Sequence, residues 1–140
     1  MKLSDALRDF GPCRGQTSVI AALLGGGDVK SVTGEPRKGE SLKEARAQLA
    51  RYEEAQEACR SDAAWWGYMG DISYWRAVIS LLEAAELVGA DNLPDLPYTV
   101  QGGFVMDICS RQESWGKEVL EAAKRRASAT PVTSAGTDKT

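Results

Sequence analysis

Ile72-Ser73-Tyr74-Trp75-Arg76-Ala77-Val78-Ile79-Ser80-Leu81-Leu82-Glu83-Ala84-Ala85-Glu86-Leu87-Val88 is apolar on nearly every side when wound as a helix. Only a strip through Arg76, Ser80 and Glu83 is polar. A helix of that character must be surrounded by other elements, because no single neighbour covers all of its apolar faces. Residues 72–88 are therefore expected to form the central helix of a mainly α fold. Gly89 is expected to end it, and Asp71 is a plausible N-cap for its start.

Upstream, residues 62–69 read as a short aromatic helix weakened by Gly67 and Gly70. Ser41-Leu42-Lys43-Glu44 has the form of a capping box, in which the serine side chain and the glutamate reach each other's amides. From it Leu42, Ala45, Leu49, Tyr52, Gln56 and Cys59 recur at alternating spacings of three and four, a seam for one packed face. That seam is short and contains a polar Gln56, which argues against a free-standing coiled coil. Residues 25–40 hold five glycines and a proline and read as a flexible loop, with Val29 to Val32 the only stretch there suited to a short strand. Val19 to Leu24 follows Thr17-Ser18, and Leu3, Ala6, Leu7 and Phe10 have helical spacing up to Gly11-Pro12.

Downstream, Asp91-Asn92-Leu93-Pro94-Asp95-Leu96-Pro97 is irregular, since each proline restricts its predecessor and lacks a donor. Tyr98 to Val100 is compatible with extended chain, and Phe104 to Cys109 fits helix or strand equally. Residues 114–127 return to helix, with Trp115, Val119, Ala122 and Ala123 inward and Lys124, Arg125 and Arg126 placed to favour a helix C-terminus. The expected architecture is a small bundle of four to five helices with Gly/Pro-rich loops and at most a short strand or hairpin. One domain is expected over residues 1–127, followed by a polar tail at 128–140 whose composition alone favours disorder.

Composition narrows the chemistry. The chain has 140 residues, 43% apolar and 26% charged, with a net charge of −3. Such a length buries a real core without metal or disulfide. The second half is the acidic half: residues 61–140 carry eleven Asp/Glu against seven Lys/Arg. Nucleic acid is therefore an unfavoured partner, since phosphate recognition needs clustered positive charge. No run approaches the ~18 apolar residues of a membrane span, and no signal-peptide pattern opens the sequence. Cys13, Cys59 and Cys109 are widely spaced and odd in number, so reduced thiols in a cytoplasmic setting are expected.

The absence of histidine removes Ser-His-Asp triads, Cys-His pairs and histidine metal sites. No cofactor or metal is expected. Gly34-Glu35-Pro36-Arg37-Lys38-Gly39-Glu40-Ser41 has the spacing of a phosphate-binding loop, but Glu40 stands where lysine is required and would repel the phosphate. Cys13 beside Arg14 reads as a turn cysteine in preference to a nucleophile, because no base accompanies it. Asp62 and Asp71 are the one carboxylate pair set among aromatics, and they serve as candidates for glycosidase-type chemistry and equally as helix caps.

The strongest pointer is aromatic. Trp65, Trp66, Tyr68, Tyr74 and Trp75 fall within eleven residues and include three of the four tryptophans. Trp65 and Trp66 point about 100° apart on a helix, so one is expected inward and its neighbour outward. Trp75 is expected in the core; Trp65, Trp66, Tyr68 and Tyr74 are the candidate interface, with Trp66 or Tyr68 the surface anchor. The leading expectation is a non-enzymatic protein-interaction or structural component, a homo-oligomer or part of a larger assembly. Small connector, decoration or assembly proteins of bacteriophage particles share this character and would be virion-associated, although no motif ties the chain to any family. The alternative is a small inhibitor or regulator of another macromolecule, such as an anti-defence protein, acting through its acidic half. An enzyme using Asp62 and Asp71 comes third.

Overall fold

The computed structural model of the chain describes residues 1–9, 16–25, 36, 39–97 and 105–138, with side chains at 1–7, 20–25, 36, 39–97 and 111–129. The described residues form five helices and no strand: α1 Leu3–Asp9, α2 Gln16–Leu23, α3 Glu40–Ala58, α4 Asp62–Val88 and α5 Val105–Asp138. The mainly α expectation holds. The stretches around Val29 to Val32, Tyr98 to Val100 and Gly11 to Gly15 lie outside the described residues, as does most of the 25–40 loop.

α4 is the centre, as its all-round apolarity requires. Ile72, Trp75, Ala77, Val78, Leu81, Leu82, Ala84 and Ala85 are buried. α3 covers one side of it, antiparallel after a three-residue connection, Cys59 to Ser61. α5 covers another side and runs parallel to α4: Arg76 meets Glu113, and Arg126 reaches the Asn92 carbonyl just past the end of α4. α1 packs on α4, and α2 on α3. The polar strip of α4 lies between α3 and α5 and is used there. Arg76 pairs with Glu53 of α3 at 3.4 Å and with Glu113 of α5 at 3.3 Å, while Glu83 lies 4.0 Å from Arg46.

Met1 to Leu3 closes the far end. The Met1 amine donates to the Leu93 carbonyl, Leu93 N–H returns a bond to the Met1 carbonyl at 2.9 Å, and Leu3 N–H donates to Ala90 at 2.6 Å. This strand-like clasp leaves Leu3 and Leu93 buried. It holds the irregular Asp91–Pro97 segment against the helices.

Several local expectations are corrected. α4 does not break at Gly67 and Gly70; it is one helix of 27 residues, so Asp71 lies inside it and caps nothing. Its N-cap is Ser61, whose hydroxyl accepts from Ala64 N–H at 3.1 Å. The Ser41–Glu44 capping box does not form, because α3 starts one residue earlier behind Gly39, which adopts φ +75°. Ser41 is buried and donates instead to the Leu23 carbonyl at 2.7 Å, satisfying an orphan carbonyl at the end of α2. Thr17 and Ser18 lie inside α2 and are not its caps. α5 begins at Val105, which settles Val105 to Cys109 as helix, and continues through Pro131 to Asp138. The tail to Asp138 is therefore helical, and Lys124 to Arg126 lie mid-helix, away from the C-terminal dipole.

Ser41→Ala removes a side-chain bond that ties α3 to the last turn of α2. A buried carbonyl left unpaired costs about 1–3 kcal/mol. The variant is expected to lose that much in urea unfolding with an unchanged m-value; stability equal to wild type would show that the bond carries no weight.

Candidate functional site

The α3–α4 tip carries the candidate site. Ser61 sets the start of α4, and Trp65 and Trp66 follow in its first turns. Both indoles are exposed, Trp65 at 40% and Trp66 at 51%. They pack on each other edge to face, ring centroids 4.8 Å apart and planes at 85°. The expectation that one would turn inward is corrected: although they point about 100° apart on the helix, both rings keep a large share of their surface in solvent.

Below the pair the site is anchored. Tyr68 is half-buried and its ring lies 6.4 Å from that of Tyr52 on α3. Gln56 Nε2 donates to the Trp65 carbonyl at 3.2 Å and touches Met69 Sδ at 3.5 Å. These contacts fix the hairpin on which the tryptophans are displayed. Tyr74, the fourth candidate, is not at the surface: it is 1% exposed and packs edge to face on Trp75 at 5.6 Å. It lies two helical turns below Trp66 and belongs to the core, so it leaves the candidate interface.

The tip is acidic. Glu54, Glu57 and Asp62 are exposed there with Arg60 among them, and Glu53 alongside is paired with Arg76. Cys59, a free thiol, sits in the connection. Gly67 adjoins Trp66, is exposed, and a Cβ built on it meets nothing within 4 Å. Among the described residues no packing contact requires glycine at this helical position. Sequence reasoning missed the acidic collar; clustering of Glu53, Glu54, Glu57 and Asp62 about the connection was the available signal.

The other candidates do not assemble. Asp62 and Asp71 are nine residues apart on one helix, which places them about 13.5 Å along the axis and half a turn apart in azimuth. That spacing does not set two carboxyls across one sugar bond. In the Gly34–Ser41 loop only Pro36 and Gly39 to Ser41 are described, and the Ser41 hydroxyl is committed to Leu23. Cys13 lies outside the described residues. Among the described residues no group of His, Cys, Asp and Glu could hold a metal ion. No described helix is long and apolar enough to cross a membrane. No family model, curated protein or solved structure matches this chain.

Proposed function

We propose that this chain acts without catalysis, as a protein-binding building block of a larger assembly (a virus particle being one such setting), docking through Trp65 and Trp66. The observation that carries this reading is the exposed, mutually stacked indole pair on an anchored hairpin tip. Tryptophans supply large rigid contact area at little entropic cost, and they dominate the energetics of protein interfaces. Gly67 supports the reading. A glycine inside a helix costs about 1 kcal/mol relative to alanine, and among the described residues no contact offsets that cost. A partner backbone approaching beside Trp66 would supply the reason.

The test is affinity capture with the full chain and Trp66→Ala, with circular dichroism on both. Trp66 is half in water, so its removal is expected to change stability by less than about 0.5 kcal/mol, as surface substitutions do. Loss of a partner by a folded Trp66→Ala supports the reading; undiminished capture, or a wild-type chain that is monomeric and binds nothing, defeats it. Gly67→Ala is expected to raise stability by about 0.5–1 kcal/mol while weakening capture.

The inhibitor reading gains one specific observation, the concentration of negative charge at the tip. A regulator mimicking nucleic acid would bind through that collar and lose its partner as salt rises, whereas an indole-centred contact persists.

A further inference from the structure

Resting on the reading of the tip as a docking surface, we infer that its occupant is a second copy of this chain, bound head to tail. Among the described residues three large apolar side chains are exposed, and they fall at the two ends of α4: Trp65 and Trp66 at its start, Leu87 at its finish. The twenty-one residues from Trp66 to Leu87 put these patches about 32 Å apart along the axis. Each apolar patch has a different electrostatic surround. The tryptophans sit beside Glu54, Glu57 and Asp62, with Arg60 the cation among them and Glu53 paired with Arg76.

At the Leu87 end, Arg126 donates to the Asn92 carbonyl and so brings Lys124-Arg125-Arg126, the one run of three cations in the sequence, beside the end of α4. All three are exposed. Glu86, Asp91 and Glu121 offset their charge there, so this end is near neutral overall with its cations contiguous. Lys124 pairs with Glu121 at 3.3 Å on the surface, an exposed contact that exchanges readily for a better one.

The two ends fit in kind. Guanidinium and ammonium groups bind indole faces and carboxylates alike, and Leu87 offers apolar surface for the rings. A tip-to-tip pair is disfavoured, because it would set two surplus-negative collars against each other. A contact between unlike patches is heterologous and leaves one of each patch free on every dimer. Because the patches lie at opposite ends of α4, successive copies carry the association beyond the dimer, into an open chain or a closed ring.

The experiment is sedimentation or light scattering over a concentration series of the full chain, with two double variants. Trp65→Ala/Trp66→Ala inactivates the tip; Lys124→Glu/Arg125→Glu inactivates the far end and spares Arg126, which holds Asn92. Both change exposed residues, and circular dichroism verifies the fold. Wild type is expected to gain mass with concentration without a plateau at the dimer. Each variant alone is expected to lose roughly thirtyfold or more in association constant, the scale of interface hot spots. Mixed one to one, the two variants are expected to form a dimer that grows no further, since only one pair of competent ends remains. A wild-type monomer at about 1 mM overturns the inference, because no association of measurable strength then exists. A far-end variant that still dimerises overturns it in favour of a tip-to-tip pair. If wild type stays monomeric while Trp66→Ala loses a different protein partner, this inference fails and the docking role of the tip stands.

Discussion

Gly116→Leu is expected to unfold this protein or to cost it at least about 3 kcal/mol, the upper range for overfilling a packed interior. Gly116 lies inside α5, where glycine is unfavourable by about 1 kcal/mol relative to alanine. The reason it is there is Ala77: a Cβ on Gly116 would stand 3.1 Å from both the Cα and the carbonyl oxygen of Ala77, and 3.4 Å from its methyl. The two helices cross with their backbones nearly touching. Two of those three atoms are backbone of a buried helix and cannot swing aside. Gly116→Ala is therefore expected to lose about 1 kcal/mol net, the helix-propensity gain offsetting part of the clash. Leucine must push α5 off α4, which also loosens Trp115, Val119 and Ala123, all buried. Ala77→Gly is not expected to rescue Gly116→Ala, since it removes only the farthest of the three atoms. Urea midpoints for the three variants decide the matter; wild-type stability in Gly116→Leu would mean that the crossing is looser than described.

The sequence revealed the fold's centre more clearly than its edges. Residues 72–88 announce themselves because a helix apolar all round has one destination. The helix's first ten residues do not. Gly67, Gly70 and a cap-like Asp71 all argue locally for a break, and the contacts that override them come from α3, through Tyr52 against Tyr68 and Gln56 on the Trp65 carbonyl. Tertiary contact beats local propensity at such a cost of about 2 kcal/mol for two glycines. Ser41 was misread for the same reason, because its partner Leu23 is eighteen residues away. The C-terminal stretch has Val132 as its one large apolar residue, yet it extends a helix already built. Propagation adds one hydrogen bond per residue without the cost of a new nucleus.

The aromatic site was legible as a cluster and not as a surface. Closeness in sequence grouped Tyr74 with Trp65 and Trp66, but eight residues of helix carry it about 12 Å from Trp66 and into the core. Whether an indole is covered depends on what packs against it from elsewhere in the chain, and no pattern within residues 62–75 encodes that.

Trp75→Ala is the second large effect. The side chain is 0% exposed and packs edge to face on Tyr74, so its loss leaves a cavity at the centre of α4. Such truncations cost about 3–5 kcal/mol, against a typical total stability of about 5–15 kcal/mol. The variant is expected to retain helical circular dichroism only in part and to lose its near-ultraviolet signal. Trp75→Phe separates volume from polarity. Trp75 Nε1 is buried with no hydrogen-bond partner among the described residues, and so is Gln112 Nε2 on α5. Desolvating an unpaired donor costs about 1–3 kcal/mol, which phenylalanine recovers against the volume it gives up. Trp75→Phe is therefore expected to stay within about 2 kcal/mol of wild type. The same reasoning gives Gln112→Leu the opposite sign to an ordinary core substitution: removing a buried amide whose nitrogen has no partner among the described residues is expected to be neutral or stabilising. A clear loss of stability in Gln112→Leu would mean that this amide does have a partner, and that the centre of the bundle is held by polarity as well as by packing.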